Sequence, residues 1–148
     1  MLGNLMDFDT ELRILGKPLH VGILGTHNTI TKEDIHEKII HPLMSVLGRL
    51  PEKMILPAEG TSSAYISLWA ERSQVETHSV DADWRKFQRK AGILRDARIC
   101  KEATHLVVFV GPKSRAYEQT AIRLARQGKR VFLVEPNPIE MCEIVVEG

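Results

Sequence analysis

The hydrophobic pattern of this chain alternates between short apolar runs and longer stretches with helical periodicity. Apolar runs bounded by turn residues predict strands, and they fall at residues 18–25, 54–56, 75–80, 104–111 and 130–135. The stretches between them predict helices that follow Thr31 and Gly60 and that cover 91–103 and 113–127. Regular alternation of strands and helices is typical of α/β proteins. We therefore predict a three-layer, doubly wound α/β fold with a mainly parallel sheet of about five to six strands.

The spacing of apolar residues within each helix predicts the side that faces the sheet. Pro42 lies inside the first helix and is expected to kink or divide it, because proline cannot donate a hydrogen bond to the Lys38 carbonyl. The predicted inner faces are Ile35, Ile39, Leu43 and Val46 in the first helix, Tyr65, Leu68 and Trp69 in the second, Ile93, Ala97 and Cys100 in the third, and Tyr117, Ala121 and Leu124 in the fourth.

We expect a single domain over residues 1–148, with its core at 18–135. The N-terminal arm, 1–17, is expected to form a short helix whose apolar side consists of Leu5, Phe8, Leu12 and Leu15. This arm either packs over its own sheet or promotes self-association. The C-terminal tail, 136–148, begins with a proline-rich break and is expected to add a short edge strand at 142–147.

Composition and charge exclude several classes of protein. Lys and Arg number 20 and Asp and Glu number 19, so the net charge of +1 creates no strong field for nucleic acid or anionic lipid. The two cysteines, Cys100 and Cys142, lack the spacing of a zinc or redox motif. No apolar run is long enough to span a bilayer. We therefore expect a cytoplasmic protein without a membrane association, a metal site or a cofactor.

Small and hydroxylated residues follow three of the predicted strands. Such loops bring backbone N–H groups close to a phosphate at the start of a helix, and in a parallel sheet all three lie at the same edge. Neither a Walker sequence nor a Gly-x-Gly-x-x-Gly fingerprint is present. The predicted ligand-binding residues are Gly25, Thr26, His27 and Asn28 after the first strand, Gly60, Thr61, Ser62 and Ser63 after the second, and Gly111, Lys113, Ser114 and Arg115 after the fourth.

One block of residues resembles a known family. Asp83-Trp84, Ala91-Gly92 and Arg95-Asp96, together with Gly60–Ser63 and Trp69-Ala70, resemble the YspA-like branch of the SLOG superfamily. That superfamily also includes DprA-like proteins and the lysine decarboxylase-like, or LOG, proteins. The resemblance covers roughly residues 18–135. It implies a Rossmann-like domain, often oligomeric, that binds nucleotides or nucleotide-derived ligands, with Asp83, Trp84 and Arg95 at the ligand.

Some LOG proteins are phosphoribohydrolases, enzymes that release the base from a nucleoside monophosphate. Resemblance to them implies a possible catalytic activity. They use an arginine before the apolar strand and a glutamate in the loop after it, positions that correspond to Arg95 and Glu118. The loop departs from the family, since it keeps one glycine of three and Pro112 removes an N–H group. A second alignment shifts Glu118 off the key position. Glu59 replaces a small residue in the second loop and would repel a phosphate there.

Three functions follow as hypotheses. The first is a binding module that senses or sequesters a nucleotide-like small molecule. The second is an N-glycosidase of nucleoside monophosphates, in which Glu118 supports positive charge on the ribose or activates water and Arg95 holds the phosphate. The third is single-stranded DNA binding, which the charge balance disfavours. The expected partners are the small molecule and a second copy of the chain in a homo-oligomer such as a dimer. A purely structural role for Arg95, paired with Asp96 or Glu102, stays open.

Overall fold

Six strands form one sheet in the computed structural model, which describes residues 18–111 and 115–146. Their spatial order is β3-β2-β1-β4-β5-β6, with β1 to β5 parallel and β6 antiparallel to β5. The strands are β1 (His20–Leu24), β2 (Lys53–Pro57), β3 (Glu76–Val80), β4 (His105–Phe109), β5 (Arg130–Pro136) and β6 (Ile139–Glu143). The predicted α/β class and mainly parallel sheet are confirmed.

Helices cover both faces of the sheet. They are α1 (Lys32–Asp34), α2 (His41–Leu47), α3 (Thr61–Arg72), α4 (Trp84–Phe87), α5 (Lys90–Glu102) and α6 (Ala116–Arg126), and a π-helical segment, Ile35–Ile40, joins α1 to α2. Side chains of β4 alternate between the two faces, as strand geometry requires. Val107 and Phe109 pack with α2 and α3, whereas Leu106 and Val108 pack with α5 and α6. This division gives the three layers of a Rossmann-like fold.

The π-helical segment keeps four apolar residues in line on the sheet. Ile35, Ile39, Leu43 and Leu47 follow one another at intervals of four and are all buried. An α-helix has 3.6 residues per turn, so this spacing rotates the buried side by about 40° at each step. A π-helical turn holds more residues than an α-helical turn, so it rotates the buried side back towards the sheet. Val46 was predicted to face inward and is 50% exposed; that prediction was wrong because it assumed α-helical periodicity.

The inner face of α5 also differs from the prediction. Ile93 is 70% exposed and Ala97 is exposed, whereas Ala91 and Ile99 are buried against the sheet. The side that contains Ala91 and Ile99 also contains Arg95, which lies midway between them in the helix. The helix is therefore rotated about its axis relative to the predicted orientation. The Arg95 side chain, only 11% exposed, lies at the edge of the core as a result.

The remaining predictions for the elements have mixed outcomes. Ala121 and Leu124 of α6 are buried as predicted, and the half-buried Tyr117 packs on the same cluster. In α3 the predicted Tyr65 and Trp69 are half-buried and pack on the core, and the fully buried apolar residues are their neighbours Ile66 and Ala70. The edge strand begins earlier than predicted, at Ile139. The N-terminal arm lies outside the described residues.

Candidate functional site

The strand order creates a crevice between β1 and β4. β1 continues towards β2 on one side, and β4 continues towards β5 on the other, so the loops that follow the two strands diverge. Crevices of this kind, at the carboxyl ends of strands, are where doubly wound sheets bind ligands. A cavity of about 490 Å³ lies here, lined by Gly25, Thr26, Asn28, Pro57, Glu59, Gly60, Arg95, Phe109, Gly111, Ala116 and Tyr117.

The loops after β1 and β2 are tied together below the cavity. Thr26 Oγ1 lies 2.8 Å from Ser62 Oγ, and the backbone N–H of His27 donates to the same Ser62 oxygen over 3.2 Å. Gly60, the residue before α3, provides no side-chain cap for the first turn of that helix. The hydroxyl of Ser62 therefore joins the loop after β1 to the first turn of α3, and Gly60, which precedes that turn, lines the cavity.

Arg95 is held by two acids and an indole ring. Its Nε donates to Asp96 Oδ1 at 3.2 Å, and its Nη1 donates to Glu59 Oε1 at 3.4 Å. Trp84 Nε1 donates to the same Glu59 oxygen at 2.8 Å, and the guanidinium carbon lies 5.9 Å from the centroid of the Trp84 ring. The predicted pairing of Arg95 with Asp96 is present, and the guanidinium reaches the cavity in a fixed position.

Tyr117 connects α6 to this cluster. Its hydroxyl donates to Asp96 Oδ2 over 2.6 Å. Burial, followed by the hydrogen bond to the Asp96 carboxylate, raises the pKa of Tyr117 to about 12. The tyrosine therefore keeps its proton at neutral pH and acts as a donor to Asp96. Asp96 thus receives bonds from both α5 and α6.

Glu118 and Arg115 lie outside the lining of the cavity in the described part of the chain. Arg115 Nε donates to Glu118 Oε2 at 2.6 Å, and its two terminal nitrogens donate to Glu135 at 2.7 Å and 3.1 Å. The bond from Arg115 is the main reason why the pKa of Glu135 is lowered. The carboxylate of Glu118 is thus paired with Arg115 and is not directed at Arg95.

The other predicted site residues have separate positions. Asp83 caps α4 by accepting a bond from the Lys86 N–H at 3.1 Å, and His27 Nε2 lies 3.1 Å from the Pro136 carbonyl. His27, Thr61, Ser62 and Ser63 are not among the described residues that line the cavity. Lys113 and Ser114 lie outside the described residues.

Five residues that line the cavity are not among the predicted ligand-binding residues, and two of them, Glu59 and Tyr117, have polar side chains. From the sequence, Glu59 is expected only to repel a phosphate, and Tyr117 is expected only to pack in the core. The position of Glu59 just after β2 was the available signal, because acids at that position often contact ribose. For Tyr117 the signal was its place in the first turn of a helix that follows a central strand.

A second cavity adjoins the first between α5 and α6. Its volume is about 590 Å³, and it shares Arg95, Ala116 and Tyr117 with the cavity at the strand ends. The exposed side chain of Ile93 lies along it. The Asp96–Tyr117 hydrogen bond joins α5 to α6, the two helices that form this groove. The side chains of Arg95 and Tyr117 therefore shape both cavities.

Comparison of the chain with protein-family models, with curated proteins and with solved structures gives no match. In the described ranges, no helix combines the length and the apolar character needed to cross a bilayer. The arguments for function therefore depend on the fold and on the geometry of the cavity at the strand ends.

Proposed function

We propose that this protein is a binding module for a nucleotide or a nucleotide-derived small molecule, acting as a sensor or a sequestering protein. The observation that supports this function is the cavity at the β1–β4 switch point, which is lined by Gly25, Gly60 and Gly111 and by the side chains of Arg95 and Tyr117. Its volume of about 490 Å³ lies within the range of small-molecule sites. Glycines at the strand ends are typical of nucleotide sites in this fold.

Binding is favoured over N-glycoside hydrolysis by the position of Glu118. A catalytic carboxylate has to lie within hydrogen-bond reach of the reacting atoms or of a bound water. The carboxylate of Glu118 instead forms a 2.6 Å bond with Arg115. Arg95, the other proposed catalytic residue, already contacts Glu59 and Asp96.

A ligand screen tests the proposal. Incubation with nucleosides, nucleotides and cyclic or ADP-ribose-like nucleotides should give at least one compound that raises the melting temperature by about 5–10 °C near saturation. Chromatography should detect no free base. The same shift should persist in Glu118→Gln, because this side chain lies outside the lining. Release of base by the wild type and its loss in Glu118→Gln would select the hydrolase, and a screen without any thermal shift would overturn the binding function.

Resemblance to the YspA-like branch of the SLOG superfamily is part of the same proposal. In support, three positions of the shared block contact one another, since the Trp84 ring packs against both Gly92 and Arg95. A methyl group at position 92 would lie 3.3 Å from that ring, a tight contact that the ring would relieve only by shifting. The ligand screen tests this membership, because the superfamily implies a nucleotide or nucleotide-derived ligand. Cell fractionation would check the expected cytoplasmic location.

We also propose that the protein forms a homo-oligomer. The support is a group of large apolar side chains exposed on α4 and the first turns of α5, namely Trp84, Phe87, Ile93 and Leu94, with exposed fractions of 40% to 70%. An apolar patch of this kind favours association. Sedimentation velocity should show a concentration-dependent dimer that Ile93→Glu shifts to the monomer. A monomer at every concentration would contradict this proposal.

A further inference from the structure

The charge balance around Arg95 bears on which ligands this cavity can accept. Arg95 lies between Glu59 and Asp96, so the three side chains carry one positive and two negative charges. Outside the lining, Arg115 likewise lies between Glu118 and Glu135. Both guanidinium groups are therefore already neutralised by carboxylates. A phosphate that approached Arg95 would have to displace an acid or remain beside it, and like charges at close range repel.

Glu59 also lies close in sequence to the start of α3. It immediately precedes Gly60, the residue before the first turn of that helix, although its carboxylate forms no capping bond there. A negative charge near the start of a helix is favourable, so the helix does not oppose a charged Glu59. Because the side chain is 59% exposed and lines the cavity, its charge faces any bound ligand.

The same carboxylate is well placed to accept hydrogen bonds from sugar hydroxyls. Trp84 and Arg95 both donate to Oε1 of Glu59, and within the described part of the chain no hydrogen bond reaches Oε2. In dinucleotide-binding Rossmann domains, an acid that follows the glycine-rich turn accepts a hydrogen bond from a ribose hydroxyl. Trp84, at 2.8 Å, and Arg95, at 3.4 Å, together hold the Glu59 carboxylate at the cavity.

We propose that Glu59 sets the specificity of the cavity, so that a neutral ribonucleoside, bound through its sugar hydroxyls, is preferred over the same nucleoside with a 5′-phosphate. This inference rests on the proposed binding function and names the ligand class of that site. Arg95 then positions the Glu59 carboxylate and does not clamp a phosphate. The site discriminates against phosphate by charge and against deoxyribose by the loss of a hydrogen-bond donor.

The experiment compares three proteins by calorimetry: the wild type, Glu59→Gln and Glu71→Gln. Glutamine at position 59 keeps an oxygen for the Trp84 N–H and removes the charge. Glu71 is exposed on α3 and is absent from the lining of both cavities at Arg95, so it is the matched control. The probes are the common ribonucleosides, their 2′-deoxy analogues and their 5′-monophosphates.

The wild type and Glu71→Gln should bind a ribonucleoside about ten-fold more tightly than its monophosphate or its deoxy analogue. Glu59→Gln should bind the monophosphate about ten-fold more tightly than the wild type does, and added salt should weaken that binding. If the wild type prefers the monophosphate, or if Glu59→Gln leaves the ranking unchanged, the specificity inference is overturned while the binding function stands. If no probe binds any of the three folded proteins, the specificity inference is overturned, and the binding function is then decided by the wider ligand screen, which includes cyclic and ADP-ribose-like nucleotides.

Discussion

Gly25→Ala is expected to destabilise the protein by about 3 kcal/mol and to abolish ligand binding. Gly25 has a φ of +73°, a conformation that costs a residue with a side chain roughly 1–2 kcal/mol. A Cβ atom there would lie 2.5 Å from the Phe109 carbonyl oxygen, which belongs to the backbone of β4 and cannot rotate away. The loop after β1 would have to move off β4, and this movement would deform the cavity between the two strands.

Gly128→Ala is the matched control for this substitution. Gly128 also has a positive φ, +93°, but an added Cβ would meet no atom within 4 Å. The conformational cost alone is about 1 kcal/mol. Chemical unfolding should therefore separate the two variants by about 2 kcal/mol, and the ligand-induced thermal shift should survive only in Gly128→Ala. Equal losses of stability would show that the contact with Phe109 does not constrain the loop.

Arg95→Met is expected to cost about 2 kcal/mol of stability and to weaken ligand binding at least ten-fold. The substitution keeps much of the side-chain volume, but it leaves the largely buried Asp96 without its guanidinium partner. Removing one member of a buried ion pair is costly because the other charge stays desolvated. Glu59 keeps its bond to Trp84 but loses the cation that holds it at the cavity.

Arg98→Met tests whether the effect of Arg95→Met is specific to that position. Arg98 lies about one turn further along α5 and is exposed. Its replacement should change the free energy of unfolding by less than about 0.5 kcal/mol and leave ligand binding intact. Urea unfolding and calorimetry of both variants provide the measurement. If Arg95→Met changes the free energy of unfolding and ligand binding as little as Arg98→Met does, the cluster around Arg95 contributes neither to stability nor to binding.

The sheet could be predicted from the sequence because its strands have an unambiguous pattern. The run that forms β4 is apolar at nearly every position, as expected for a strand covered on both faces. Gly25 follows β1 directly, Gly111 lies two residues after β4, and Gly60 immediately precedes α3. The edge of the sheet that forms the cavity could therefore also be predicted. Gly25, Thr26, Asn28, Gly60, Arg95 and Gly111 all line it.

The rotation of α5 could not be predicted, and much of the site depends on it. Its few apolar residues, Ile93, Leu94 and Ile99 among them, do not define one inner side by periodicity alone. Packing against β1 and β2 decides that Ala91 and Ile99 face inward, which places Arg95 at the core edge. The pairings of Glu59 with Trp84 and of Asp96 with Tyr117 link segments far apart in sequence, and local patterns contain no information about such pairings.

The two outer strands of the sheet have a consequence for how copies of this chain can meet. β3 exposes Glu76, Thr77 and Ser79, and β6 exposes Glu140 and Glu143. Charged side chains on an outer strand oppose the pairing of that strand with a second molecule. Glu143 is already neutralised by Arg130, so the charges of Glu76 and Glu140 are the ones that disfavour joining these outer strands edge to edge.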